Sequence, residues 1–111
     1  MTAPKRTRLP NRRPSETIDI EVCGHRLTAT VGFDPQGRPA EAFLSGPRDG
    51  SALAAILADA AVVISVALQH GVSPAALAKS VARLPETLDG PATAPGSPIG
   101  AALDLIASYG A

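Results

Sequence analysis

The sequence predicts an α+β domain: a three-stranded antiparallel meander followed by a long central helix and two shorter helices. Three observations carry that prediction. Apolar and polar residues alternate from residue 17 to about residue 45, the period of a half-buried strand. Over residues 50–71 the apolar spacing changes to three and four, the period of a helix. Two later Ser-Pro pairs, Ser73-Pro74 and Ser97-Pro98, each open another apolar stretch at helical spacing.

Residues 1–15 read as a basic, flexible arm. They hold Lys5, Arg6, Arg8, Arg12 and Arg13, three prolines and little to bury, a composition that does not form a core. Residues 16–111 then form a single domain. In its first strand Ile18, Ile20 and Val22 alternate with Thr17, Asp19 and Glu21. Gly24 opens the turn Cys23-Gly24-His25. In the second strand Leu27, Ala29, Val31 and Phe33 share one face. Asp34-Pro35-Gln36-Gly37 is a turn, because Pro presets the first central position and Gly accepts positive φ. The third strand sets Ala40, Ala42 and Leu44 against Glu41, Phe43 and Ser45.

The central helix is expected over residues 51–70, with Ser51 as its cap and Gly71 as its stop. Its large apolar residues, Leu53, Ile56, Leu57, Val63, Ile64 and Leu68, make one face. The other carries Ala55, Asp59, Val62, Val66, Gln69 and His70 and is only half polar, so burial on more than one side is expected. A membrane span is the rival reading. Asp59 near the middle, the abundance of alanine and the lack of flanking aromatics argue against it. The second helix is expected over residues 74–84 and the third over residues 98–109, with a Pro/Gly linker over residues 85–96 between them.

A chain of 111 residues with three aromatics supports a modest core, so self-association or docking is expected. Net charge is zero, but beyond Arg13 five basic residues face ten acidic ones. The single cysteine, Cys23, excludes an internal disulfide or a multi-cysteine zinc site. No apolar signal segment opens the sequence, and a cytoplasmic location is expected.

Catalytic motifs are missing from the sequence: it has no Walker loop, dinucleotide fingerprint, HExxH or GxSxG. His25 and His70 are the two imidazoles, and His70 near a helix end is explained by the helix dipole. No catalytic residue, cofactor-binding residue or metal ligand is assigned. Arg48, Gly50 and Ser51 form a candidate anion or nucleotide contact, since free helix amides and a guanidinium face one volume there. The segment around Gly71 also has a helix-turn-helix layout. In that reading Lys79, Arg83 and the arm would contact DNA, although the acidic body opposes phosphate binding.

Taken in order, the motifs resemble one family. LPNRR is followed by CGHRLTATVGFDPQGRPAEAFLS, then by a Gly-Ser helix start, ISVALQHGV and SPIGAALDLIASY. This is similar to the C-terminal region of adenosylcobalamin-dependent (class II) ribonucleotide reductases, the part related to the TSCPD domain. Leu9, Pro10, Arg12, Arg13, Gly24, His25, Gly37, Glu41, Phe43, Leu44, Gly50, Ile64, Ser65, Leu68, Gln69, Gly71 and Val72 carry the resemblance. The family's radical chemistry needs a large barrel with active-site cysteines, and neither the barrel nor a Thr-Ser-Cys-Pro-Asp motif is present.

The resemblance implies a stand-alone accessory module linked to deoxyribonucleotide synthesis and not catalytic alone. Adenosylcobalamin would belong to a reductase catalytic chain, not to this one. The expected partner is such a chain or a second copy of this one, docking through a helical face around Val62, Val66 and His70 or through the edge of the meander. Nucleic acid could meet the basic arm, and no membrane contact is expected.

Overall fold

The computed structural model describes residues 5–22, 24–46 and 51–109. Three strands, β1 (Ser15–Val22), β2 (His25–Phe33) and β3 (Pro39–Ser45), pair antiparallel in the order β1-β2-β3. Helix α1 (Ala52–Gln69) follows, then α2 (Pro74–Ser80), a small ribbon of β4 (Arg83–Leu84) and β5 (Ala94–Pro95), and α3 (Pro98–Tyr109). The meander with one long and two shorter helices is the α+β architecture that the alternation and spacing predict.

The turns are built locally. Val22 pairs with His25, and Gly24 in the reversal has φ +76°. Between β2 and β3 the Asp34 carboxylate accepts from the amides of Gln36 and Arg38, each at 2.9 Å, and pairs with Arg38 Nε at 3.1 Å. Gly37 takes φ +80° there, which a residue with a Cβ resists. Burial pushes the Asp34 carboxyl upward, but the two amides and the Arg38 guanidinium outweigh it, so its pKa lies below the ordinary carboxylate value.

The core lies between one sheet face and the helices. Leu27, Ala29, Val31, Ala42 and Leu44 meet Leu57, Ala61, Ile64 and Leu68 of α1, Ala78 of α2, and Ala102, Leu103 and Ile106 of α3. At the end of α3, Tyr109 meets Phe33 edge-on with ring centroids 5.3 Å apart. The neighbouring Glu16 carboxylate, with burial, raises the pKa of the Tyr109 hydroxyl above the ordinary phenol value.

Both ends of α1 follow the sequence signals. Ser51 Oγ accepts from the Ala54 amide at 3.1 Å. At the other end the Gly71 amide bonds Leu68 O at 3.0 Å and the Val72 amide bonds Ala67 O at 3.0 Å. With Gly71 at φ +89° this is a Schellman stop.

Three expectations are corrected. Helix α2 ends at Ser80 rather than at residue 84, and Val81 is extended. Pro85 disfavours helical backbone at Leu84, which rules out a helix reaching the expected end. The chain instead pairs Arg83 with Pro95 and Leu84 with Ala94. Gly96 closes this ribbon: its amide bonds Ala82 O at 2.9 Å, and a Cβ there would also stand 2.9 Å from that oxygen.

The face of α1 is rotated from the expected one. Leu57, Ala61, Ile64 and Leu68 are buried, whereas Ile56 and Val63 are 55% and 68% exposed. Gln69, placed on the outer side, is 7% exposed. Burial on several sides does not occur within this chain. The described part of the arm makes contacts with the rest of the domain. The Thr7 amide bonds Gln69 O at 2.7 Å, and the Arg6 and Arg13 side chains are held by α1 and β3.

Candidate interaction surface

The centre of the site is the free edge of β3. Along this strand alternate residues turn their main-chain groups toward β2 and away from it. Ala40 and Ala42 face away, and two polar side chains of the otherwise apolar α1 meet them. Ser65 Oγ accepts from the Ala42 amide at 2.9 Å and donates within a cluster formed by Ala42 O at 3.1 Å and Ala61 O at 2.8 Å. Gln69 Nε2 donates to Ala40 O at 3.0 Å. Positions 65 and 69 are one helical turn apart, so the pair latches the helix along the edge and blocks strand addition at these residues.

Gln69 also gathers the arm, because its Oε1 accepts from Arg6 Nε at 2.6 Å. Beside it Glu41 is buried on the opposite sheet face, over Gly32. A Cβ at position 32 would lie 2.6 Å from Glu41 Cγ, so glycine makes room for this carboxylate. Arg13 grips it with both arms of its guanidinium, Nε to Oε1 and Nη2 to Oε2 at 2.9 Å, and also donates to Pro10 O at 2.7 Å. The carboxylate raises the Arg13 pKa, against a smaller lowering by burial. Lys5, Arg8 and Arg12 make no ion pair or hydrogen bond with the described residues.

These elements leave a trough between α1 and β3. Its basic end is a cleft of about 400 Å³ lined by Arg6, Arg8, Arg13, Glu41 and Gln69. Its middle, about 370 Å³, is walled by Phe43 and Val62 over Ala58, Ala61 and Ser65. A further cleft of about 310 Å³ lies at the other side of the α1 terminus, where Asp34 and Arg38 are already paired with each other. On its solvent side α1 presents Ile56, Val62 and Val63, 55%, 63% and 68% exposed. Of the 18 residues of α1, 28% are buried, and the helix is long and apolar enough to cross a membrane by length and composition.

The sequence-predicted site residues divide. Arg48 and Gly50 of the anion contact lie outside the described residues, as does Cys23. Ser51 acts as the helix cap. Of the partner face, Val62 is open, Val66 is half-buried, and His70 is exposed with Nδ1 bonded to Val66 O at 2.9 Å. Arg83 does not project freely: it binds Asp104 through two bonds of 2.8 and 3.0 Å and reaches Thr93 O. That carboxylate raises the Arg83 pKa. Lys79 remains exposed on α2. Among the described residues, no three His, Cys, Asp or Glu side chains come together to hold a metal ion.

The sequence reading missed the roles of Ser65, Gln69, Glu41 and Arg13. Their signals were present: two polar residues one turn apart on an apolar helix, and a glycine within a strand.

The TSCPD domain family matches residues 2–107. The chain belongs to the TSCPD domain family. Curated relatives carry the name vitamin B12-dependent ribonucleotide reductase. The one from Rhodopirellula baltica is 38% identical over 69 residues, which is 62% of this chain and 7% of that protein. The one from Agrobacterium fabrum is 37% identical over 68 residues, 61% of this chain and 5% of that protein. The TSCPD chain thus spans a small fraction of these relatives. No solved structure matches it.

Proposed function

We propose that this TSCPD domain is a non-catalytic accessory module that docks on the catalytic chain of a B12-dependent ribonucleotide reductase in the cytoplasm and thereby serves deoxyribonucleotide synthesis. The observation that carries the reading is the solvent face of α1, where Ile56, Val62 and Val63 are each more than half exposed. Exposed apolar surface gathered on one helix marks an interaction site. A protein partner fits it better than lipid, because Asp59 lies on the same helix and a charge at mid-membrane is costly. Kinship with a region of reductase chains supplies the partner class.

The test is light scattering and titration calorimetry of the full chain with the purified reductase catalytic chain. A complex is expected, weakened at least about tenfold by Val63→Glu, since a buried unpaired charge is strongly disfavoured. Absence of a complex, or a complex indifferent to Val63→Glu, would overturn the reading.

A further inference from the structure

We propose that the trough between α1 and the free edge of β3 is a peptide slot. It receives a short extended segment of a partner chain, with a carboxylate on Arg6 and Arg8 and an apolar side chain between Phe43 and Val62. This deepens the docking role and rests on that reading.

Shape comes first. The apolar middle of the trough continues beyond Leu44 and Ala58 into a cleft of about 370 Å³ floored by Ala54, Ala55 and Ala58. In the other direction it shares Arg6, Glu41 and Gln69 with the basic end. From residue 54 to residue 69 a helix rises about 22 Å. That length suits about six or seven extended residues. Alanine side chains along the floor leave it open, and Phe43, 57% exposed, forms a free wall.

Main-chain chemistry comes second. Ser65 and Gln69 occupy the edge groups of Ala42 and Ala40. Leu44 lies two residues on and pairs with Ala29 in the register that pairs Ala42 with Val31. Its amide and carbonyl therefore also face the edge. No side chain of the described residues bonds them. The edge is thus closed at two positions and open at one, which suits a single main-chain exchange with an extended segment.

Charge fixes the occupant. At the basic end Glu41 offsets Arg13, and the charges of Arg6 and Arg8 remain. Arg6 commits its Nε to Gln69 and keeps both terminal nitrogens for a ligand. A fork of this kind matches a carboxylate. Gln69 bonds both Ala40 O and Arg6, so the basic end lies four residues along β3 from Leu44, about 13 Å. The fitting segment therefore carries Asp or Glu about four residues from its main-chain contact, with an apolar side chain between.

The probe is a phage-displayed library of random 12-residue peptides selected on the full chain. The best binder is then labelled with fluorescein and titrated by polarisation. Enrichment of Asp or Glu one to three residues from Leu, Ile or Phe is expected. Arg8→Glu and Ala58→Trp should each weaken binding by at least about tenfold, and added salt should weaken it further. Val63→Glu, on the solvent ridge outside the slot, should change it less than about twofold. Arg8 makes no internal bond, so its variant separates binding from folding; circular dichroism checks Ala58→Trp.

Selected peptides without an acid would overturn the slot, as would binding lost through Val63→Glu instead. So would a dimer of this chain that Ala58→Trp dissolves, because a second copy would then be the occupant. A reductase complex broken by Val63→Glu, with no acidic peptide selected, removes the slot and leaves the docking function. Acidic peptides bound as described, with no reductase complex, do the reverse.

Discussion

Replacing Ser65 by Ala tests whether α1 is latched to the sheet by hydrogen bonds rather than by apolar contact alone. The hydroxyl lies within 2.9 Å of the Ala42 amide, 3.1 Å of Ala42 O and 2.8 Å of Ala61 O. Ala61 O belongs to the helix ladder and loses little. The Ala42 amide and carbonyl face away from β2 and have no other partner among the described residues. One net hydrogen bond is worth about 0.5–1.5 kcal/mol, and a buried group left unsatisfied costs about 1–3 kcal/mol. Because Ser65 is half-buried beside an open trough, water recovers part of the second cost. The expected loss is therefore about 2 kcal/mol. Urea denaturation should show a lower midpoint at unchanged slope, and the Ala42 amide should exchange faster with deuterium than its neighbours in β3. A loss below about 0.5 kcal/mol with unchanged exchange at Ala42 would refute the latch.

Two further predictions follow from the opposite sheet face and the turn. Gly32→Ala places a Cβ against Glu41 Cγ and should cost about 1–3 kcal/mol; in the double variant with Glu41→Ala the cost should at least halve, and additive costs in that cycle would show that glycine is not there for the carboxylate. Asp34 is held below its ordinary pKa by the turn amides and Arg38. A group with a depressed folded-state pKa stabilises above its unfolded value of about 3.9 and loses that contribution as pH falls through and below it. Melting temperatures from pH 6 to pH 2 should therefore fall more steeply for the wild type than for Asp34→Asn, and parallel profiles would contradict the assignment.

What was legible in the sequence was what short-range chemistry decides. Ser51 and Ser97 cap their helices, Gly71 stops α1, and the Asp34–Gly37 turn closes through neighbouring atoms. Alternation likewise gave the buried faces of β2 and β3. The errors arose where distant residues decide. Periodicity shows that Ile56, Leu57, Val63 and Ile64 are apolar, but the pose of α1 selects Leu57 and Ile64 for the core and leaves Ile56 and Val63 outside. Gln69 looked like an outer residue and is buried because Ala40 O needs a donor. Arg13 and Glu41 are separated by 28 positions, and no local rule joins them. The end of α2 was a different kind of miss: Pro85 excludes a helix through Leu84, and the apolar spacing masked it.

The same rotation of α1 constrains whatever covers its outer face. Asp59 lies on the helix between Ile56 and Val62, and it is exposed. A partner that buries Ile56, Val62 and Val63 must therefore either leave Asp59 at the rim of the contact or bring a cation to it, because an uncompensated buried carboxylate costs several kcal/mol. A second copy packed in register, Asp59 facing Asp59, would meet that cost twice. A different chain carrying Lys or Arg opposite Asp59 would avoid it and would gain specificity from the repulsion that disfavours self-pairing. If the proposed docking holds, the one charge on α1 would favour a heterologous partner over a second copy, with Asp59 orienting the contact of the exposed valines.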